Sequence, residues 1–309
     1  MEELFLFPAQ VEMPAPLMEH LPMGVAMINA HLLWPDTFRG LGNVTAVIDS
    51  GCDIAHPDLK ENIIGVYNFT DDDGGDPGNV TDYAGHGTHV SGIIAARQTP
   101  DGFTGVAPES KLLILKVINK DGQGSYEHLN RALEYVREWN GPSNERVSVI
   151  NLSLGGMKEN HDLHDHLRKL NMMGIITVCS SGNYGDSDPY TNEIMFPANY
   201  KEVLQIGAVD FKGSLLPFSN SNYNVDFVAP GYKILSTYLN ASYREMTGTS
   251  MAAPHVAGLI ALALNRINRS EPELINSRIY NYLIRNSKKL GYPFNSEGFG
   301  LVRINNGKA

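Results

Sequence analysis

The chain has 309 residues, 42% of them hydrophobic and 19% charged, with a formal net charge of −10 at pH 7. That make-up supports a globular core, and the acidic surplus excludes nucleic acid as a partner, because phosphate contacts need a basic face. No apolar run reaches the ~18–20 residues that a membrane-spanning helix requires, so no membrane partner is expected.

The first twenty residues carry four glutamates, three prolines and no lysine or arginine. A secretory signal needs a basic start and an uninterrupted apolar stretch, and this segment has neither. The expected compartment is the cytoplasm, where Cys52 and Cys179 read as reduced, buried thiols. The segment is proline-rich and lies ahead of the first strand, so residues 1–18 read as an appended extension and 19–309 as one domain.

From about residue 40, short β-rich runs alternate with amphipathic helices. Strands are predicted at 43–49 (NVTAVID), 111–118 (KLLILKVI), 147–154 (VSVINLSL), 174–180 (GIITVCS) and 202–209 (EVLQIGAV). Helices are predicted at 126–139, 162–173 and 250–267. The apolar runs are continuous rather than alternating, as in strands covered on both faces. That pattern predicts an α/β, three-layer fold with a mostly parallel central sheet flanked by helices.

Functional sites of such sheets gather at the carboxyl ends of the strands. Asp49 closes the first predicted strand and Asn183 comes after another, while Ser153, Leu154, Gly155 and Gly156 close a third. His86 starts a helical stretch, HGTHVSGIIAA, and Ser250 starts a long apolar helix. These residue types suit nucleophilic catalysis. A serine hydroxyl needs a base within hydrogen-bond reach, and His86 can take its proton and return it to a leaving group. Asp49 can hold the imidazole tautomer. The Asn183 amide and the Ser250 backbone N–H, at a helix N-terminus, suit a developing oxyanion.

The blocks VIDSG, GHGTHVSG, SLGG, SSGN and GTSMAAPHVAG are similar, in the same order, to those of the subtilisin family of serine proteases. The likeness spans about residues 20–303, and the order Asp–His–Ser separates it from α/β-hydrolases and chymotrypsin-like enzymes. The resemblance implies a subtilisin-like fold and a serine endopeptidase with Asp49, His86, Ser250 and Asn183 as its catalytic residues. The run NFTDDDGG at 68–75, Cys52 and Cys179 are shared with intracellular subtilisins. Those proteins carry a short N-terminal extension with a Leu-Ile-Pro-Tyr motif, whose counterpart here is Leu6, Phe7, Pro8 and Ala9, with two positions changed.

The resemblance implies more about substrate and control. Substrate is expected to add as an extended strand between Gly122–Gly124 and residues 153–155. A P1 pocket walled by Ser153, Leu154, Gly155 and the segment near Asn183 takes large apolar side chains, and Tyr126 borders a P4 pocket. A structural calcium site is expected from Asp58, Arg97, Thr99, Asp101 and Phe103. Residues 1–18 are expected to block the active site of a cytoplasmic zymogen, with Pro8 misplacing the nearest bonds. A homodimer is also implied. The alternatives are a narrow leader-peptide processing subtilase and a non-catalytic peptide-binding pseudoenzyme.

Other clusters read as structural. His89 reads as a packing residue on the helix of His86. His161 and His164 read as part of a solvated helix face, with Leu163, Leu167 and Leu170 turned inward. The run Asp71, Asp72, Asp73 and Asp76 lacks the spacing and closing glutamate of an EF-hand loop.

Overall fold

The computed structural model describes residues 3–14, 21–97 and 103–305. Its strands, in chain order, begin with β1 (Glu3–Leu6), β2 (Gln10–Pro14), β3 (Val44–Asp49), β4 (Ile63–Asn68) and β5 (Lys111–Lys116). Then come β6 (Gln123–Ser125), β7 (Val147–Leu152), β8 (Leu154–Gly155), β9 (Ile176–Ser180) and β10 (Val203–Val209). The last five are β11 (Phe227–Pro230), β12 (Ile234–Tyr238), β13 (Ser242–Thr247), β14 (Ser287–Lys288) and β15 (Leu301–Val302).

Nine of these form the central sheet, in the order β14-β15-β11-β10-β9-β7-β3-β5-β4. Every pairing in it is parallel except β14 with β15. Strands β3, β7, β9 and β10 are buried along their whole length, which is why their sequences do not alternate. One face packs on the helices His86–Ala95 and Thr249–Ala263, hereafter the histidine and serine helices. The other face packs on the helices Tyr126–Glu138 and His161–Met172, which bury Leu129, Leu133, Leu163, Leu167 and Leu170. The result is the expected three-layer α/β arrangement.

Capping explains where the two outer helices start. Ser125 Oγ accepts from the N–H of His128, and Asn160 Oδ1 accepts from that of Leu163. The serine helix is different, being buried on every side, as an apolar-all-round helix must be.

The strand predicted over 147–154 divides at Ser153: β7 ends at Leu152, and β8 leaves the central sheet. β8 joins a second sheet of order β6-β1-β8, in which the N-terminal strand is the middle one. A third sheet, β12-β13-β2, holds the next N-terminal strand at its edge.

Candidate active site

Asp49 ends β3 at the carboxyl edge of the sheet, and His86 opens the histidine helix. His86 Nδ1 lies 2.7 Å from Asp49 Oδ1, and both residues are buried. An ionised carboxylate only accepts, so Nδ1 carries the proton and Nε2 is left as the basic nitrogen. Burial pushes the His86 pKa down, but the charge and hydrogen bond of Asp49, together with the Asp82 charge, push it up, and the net shift is upward. Among the described residues Nε2 has no hydrogen-bond partner.

Asp49 is held in place by its neighbour Ser50. Asp49 Oδ1 accepts from the Ser50 N–H at 2.7 Å and from Ser50 Oγ at 3.1 Å. Ser50 Oγ in turn accepts from the N–H of Gly87 and approaches Asp82 Oδ1 at 2.9 Å. Asp82 also accepts from the N–H groups of Gly85 and Thr88, so it anchors the start of the histidine helix. A Cβ on Gly87 would come within 2.2 Å of the Gly51 carbonyl, so only glycine allows this helix to reach Asp49.

Ser250 is the second residue of the serine helix and fully buried. Four residues on, Pro254 lacks the N–H that would bond to the Ser250 carbonyl. Ser153 Oγ takes that place, donating to the Ser250 carbonyl at 3.0 Å. Ser250 Oγ donates back to the Ser153 carbonyl at 3.4 Å. Ser153 therefore clamps Ser250 from both sides, at the point where β7 gives way to β8. The Ser250 hydroxyl is turned to Ser153 rather than His86, a looseness common before a reacting group arrives.

Asn183 lies after β9. Its Oδ1 accepts from the N–H and the hydroxyl of Thr249, at 2.9 and 2.8 Å. That fixes the amide so that Nδ2 points the other way, where it donates to the Pro8 carbonyl at 2.8 Å.

The N-terminal segment runs through this site. β1 pairs antiparallel with both neighbours, Leu4 with Gly124 and Phe5 with Gln123 on one side, Phe5 with Gly155 and Leu6 with Leu154 on the other. Leu4 is buried in one cluster with Ile118, Tyr126 and Leu154. Phe7 is also buried, its ring edge against Gly155, while Leu6 is half-buried and Pro8 exposed. After Ala9, β2 pairs with β13, and Glu12 meets Lys233 at 2.9 Å. Gly122 precedes β6 with φ +77°. Residues 15–18 lie outside the described residues.

At the expected calcium site, Asp58 Oδ2 accepts from the N–H of Phe103 and the hydroxyl of Tyr243, both at 2.7 Å. The Arg97 N–H donates to the Asp58 carbonyl, and its guanidinium turns to Glu109. Thr99 and Asp101 lie outside the described residues. Asp58 is a hard oxygen donor of the kind calcium takes, but in this structure its Oδ2 and its carbonyl are engaged by hydrogen-bond donors.

Other clusters resolve differently. His89 is buried, with Nε2 2.9 Å from the Ile234 carbonyl, and burial pushes its pKa down to about 3. His164 is not simply solvated: it stacks on Tyr200 at 4.2 Å and meets Glu202 at 2.8 Å. Cys52 and Cys179 are free and buried, and burial pushes both thiols far up.

Sequence reasoning passed over Thr249, Ser50, Asp82 and Pro254, as well as the clamping role of Ser153. Thr249 acts on Asn183 and Ser153 on Ser250 through contacts between segments far apart in the chain, whereas Ser50 and Asp82 act on near neighbours through side-chain bonds in turns. Only the missing N–H of Pro254 was a local signal.

The model of the Subtilase family matches residues 40–301. An intracellular serine protease of Paenibacillus polymyxa is 44% identical over 303 residues, covering 98% of this chain and 91% of its own. The major intracellular serine protease of Bacillus subtilis (strain 168) is 42% identical, over 92% of this chain and 88% of its own. Subtilisin DY of Bacillus licheniformis is 36% identical, over 92% and 97%.

Proposed function

The chain belongs to the subtilase family and is a subtilisin-like serine protease, and we propose that it is an endopeptidase made as an autoinhibited cytoplasmic zymogen. Ser250 attacks the scissile carbonyl while His86 Nε2 takes the hydroxyl proton. Asp49 holds the Nδ1 proton in place and stabilises the imidazolium. Asn183 Nδ2 and the Ser250 N–H receive the oxyanion, and His86 returns the proton to the leaving amine. Water then cleaves the acyl-enzyme by the same steps. This is the established template for such triads, carried over to these residues.

The observation that carries the reading is the pairing of β1 in the cleft. An extended segment of the chain lies between residues 123–125 and 154–155, with a buried aromatic beside Gly155. A substrate would bind in the same way, its backbone paired and its P1 side chain where Phe7 sits. That supports a preference for large apolar P1 residues, with Leu4 marking the P4 position beside Tyr126. Backbone pairing carries little sequence information, so specificity is broad. Peptides with Phe or Leu at P1 should be cut faster than those with Arg, and a strong Arg preference would overturn this pocket.

Autoinhibition is supported by a register mismatch. In a productive complex, one residue supplies both the pocket side chain and the carbonyl at the oxyanion donor. Here Phe7 supplies the side chain and Pro8 the carbonyl. The proline fixes its own φ and offers no N–H, so neither adjacent bond is presented correctly. Removal of about the first 18 residues would then release the enzyme. Calcium at Asp58, with Arg97, Thr99, Asp101 and Phe103, would stiffen the neighbouring loop; a chelator should lower the unfolding temperature, and an unchanged one would argue against the site. Names of intracellular proteases among the relatives favour the cytoplasm and the general endopeptidase over a narrow leader peptidase. A homodimer belongs to the same reading, and light scattering would test it.

A further inference from the structure

The acidic run at 71–76 plays no part in the mechanism above. One of its members, Asp72, is buried, and its Oδ2 lies 3.2 Å from the ammonium of Lys116. Lys116 is completely buried. It ends β5 as the register partner of Asp49 on one side and of Asn68 on the other. Its Nζ donates to the Ser50 carbonyl at 2.8 Å and to the Ile118 carbonyl at 2.9 Å. Asp72 Oδ2 also accepts from the Lys120 N–H, and the Asp72 carbonyl accepts from Asn68.

We propose that Lys116 and Asp72 form a positioning pair for Asp49 and His86, with the acidic turn supplying the counter-charge. The inference rests on the proposed roles of those two residues. Lys116 grips the carbonyl of Ser50, whose N–H donates to the Asp49 carboxylate and whose hydroxyl lies between Asp49 and Asp82. The Val117 N–H donates to the Asp49 carbonyl, so the backbone on both sides of the aspartate's terminal peptide is tied to β5. A buried ammonium persists only when paired, and here the partner comes from the acidic turn rather than from Asp49.

The electrostatic consequence is specific. Together the pair adds no net charge behind Asp49, whose register partner is Lys116. Without Asp72, the remaining ammonium stabilises the Asp49 carboxylate and opposes an imidazolium. Without Lys116, the remaining carboxylate favours one. Among the described residues, other charged or titratable groups near this region include Asp82 and His89 near His86, Cys52 beside Asp82, and Tyr83, whose ring lies under Lys116 and whose hydroxyl donates to Asp73.

The test is the His86 titration, monitored by ring ¹H–¹⁵N NMR in the full chain. Asp72→Asn should lower the midpoint and Lys116→Met should raise it, each by about half a pH unit or more. Asp72→Asn combined with Lys116→Met should restore it. Single variants that leave the midpoint unmoved, or move it in the same direction, would overturn the pair. If the single variants do not fold, the double variant decides. It should keep the wild-type midpoint but lose about tenfold in kcat with KM unchanged, and a wild-type kcat would overturn the proposal. Opposite midpoint shifts in a protein that cuts no peptide would sink the proposed protease mechanism while leaving the pair standing. Normal cleavage with unmoved midpoints would do the reverse.

Discussion

At the scale of single residues, the site leaves selected atoms unsatisfied while neighbours hold Asp49 Oδ1, Ser250 and Asn183 in place. His86 Nε2 is such an atom, and the raised His86 pKa has a direct consequence. The proposed base works only when neutral, so the acid limb of kcat/KM should fall above the ordinary histidine value of about 6.5. A limb below that value would mean that burial outweighs the carboxylates of Asp49 and Asp82. Asn183→Leu should cost about 10²–10³ in kcat with little change in KM, a range itself derived from a subtilisin. Ser153→Ala keeps the carbonyl that Ser250 Oγ faces but strands the Ser250 carbonyl that Pro254 leaves open. It should cost about 1–3 kcal/mol of stability, read from denaturant melts, together with a loss in kcat. Asp49, His86, Ser250 and Asn183 were legible as residues because each sits in a distinctive block at a strand end or helix start. Lys116 and Asp72 were not, because a lysine in an apolar strand and an aspartate in an acidic run read as surface until their burial is known.

At the scale of elements, the histidine and serine helices each carry a buried neutral imidazole. Burial lowers His89 to about 3 and His255 to about 4. In the unfolded chain both protonate near pH 6.5, so below that pH the unfolded state binds protons that the folded state refuses. Stability should therefore fall between pH 6.5 and about 4, by about 1.4 kcal/mol per pH unit for each group. The raised His86 does not offset this loss, because its own contribution changes only above pH 6.5. Asp226, which burial raises to about 6, does: it holds its proton more firmly folded than unfolded and offsets about one group's share below pH 6. Thermal melts at pH 7 and 5 would show the drop, and His255→Gln should reduce it. The N-terminal strands pose a different question. Their pairing with β6, β8 and β13 arises from unpaired strand edges lining the cleft, but the sequence revealed only the first half of that path. Nothing in QVEMP announced the second pairing with β13, since strand partners are set by long-range register rather than by local pattern. Pro8→Gly should restore an N–H and let the segment settle in a cleavable register. Mass spectrometry should then show the N-terminus lost about tenfold faster or more; equal rates would mean that Pro8 does not protect the segment.

At the scale of the whole molecule, the layered fold was legible because its physics is redundant. Mostly apolar runs in β3, β5, β7, β9 and β10, separated by helical patterns, fit strands covered twice, with the helices between them covering both faces. The small sheets were not legible, since β6, β8 and half of β2 carry little patterning of their own. The central claim is that one chain holds both a competent site and the segment that silences it. The most direct test incubates the full chain and its Ser250→Ala variant, tracking N-terminal mass and casein hydrolysis together. Only the wild type should shed about its first 18 residues, and casein cleavage should rise as they go. A wild type that hydrolyses casein at full rate with its N-terminus intact would contradict the claim.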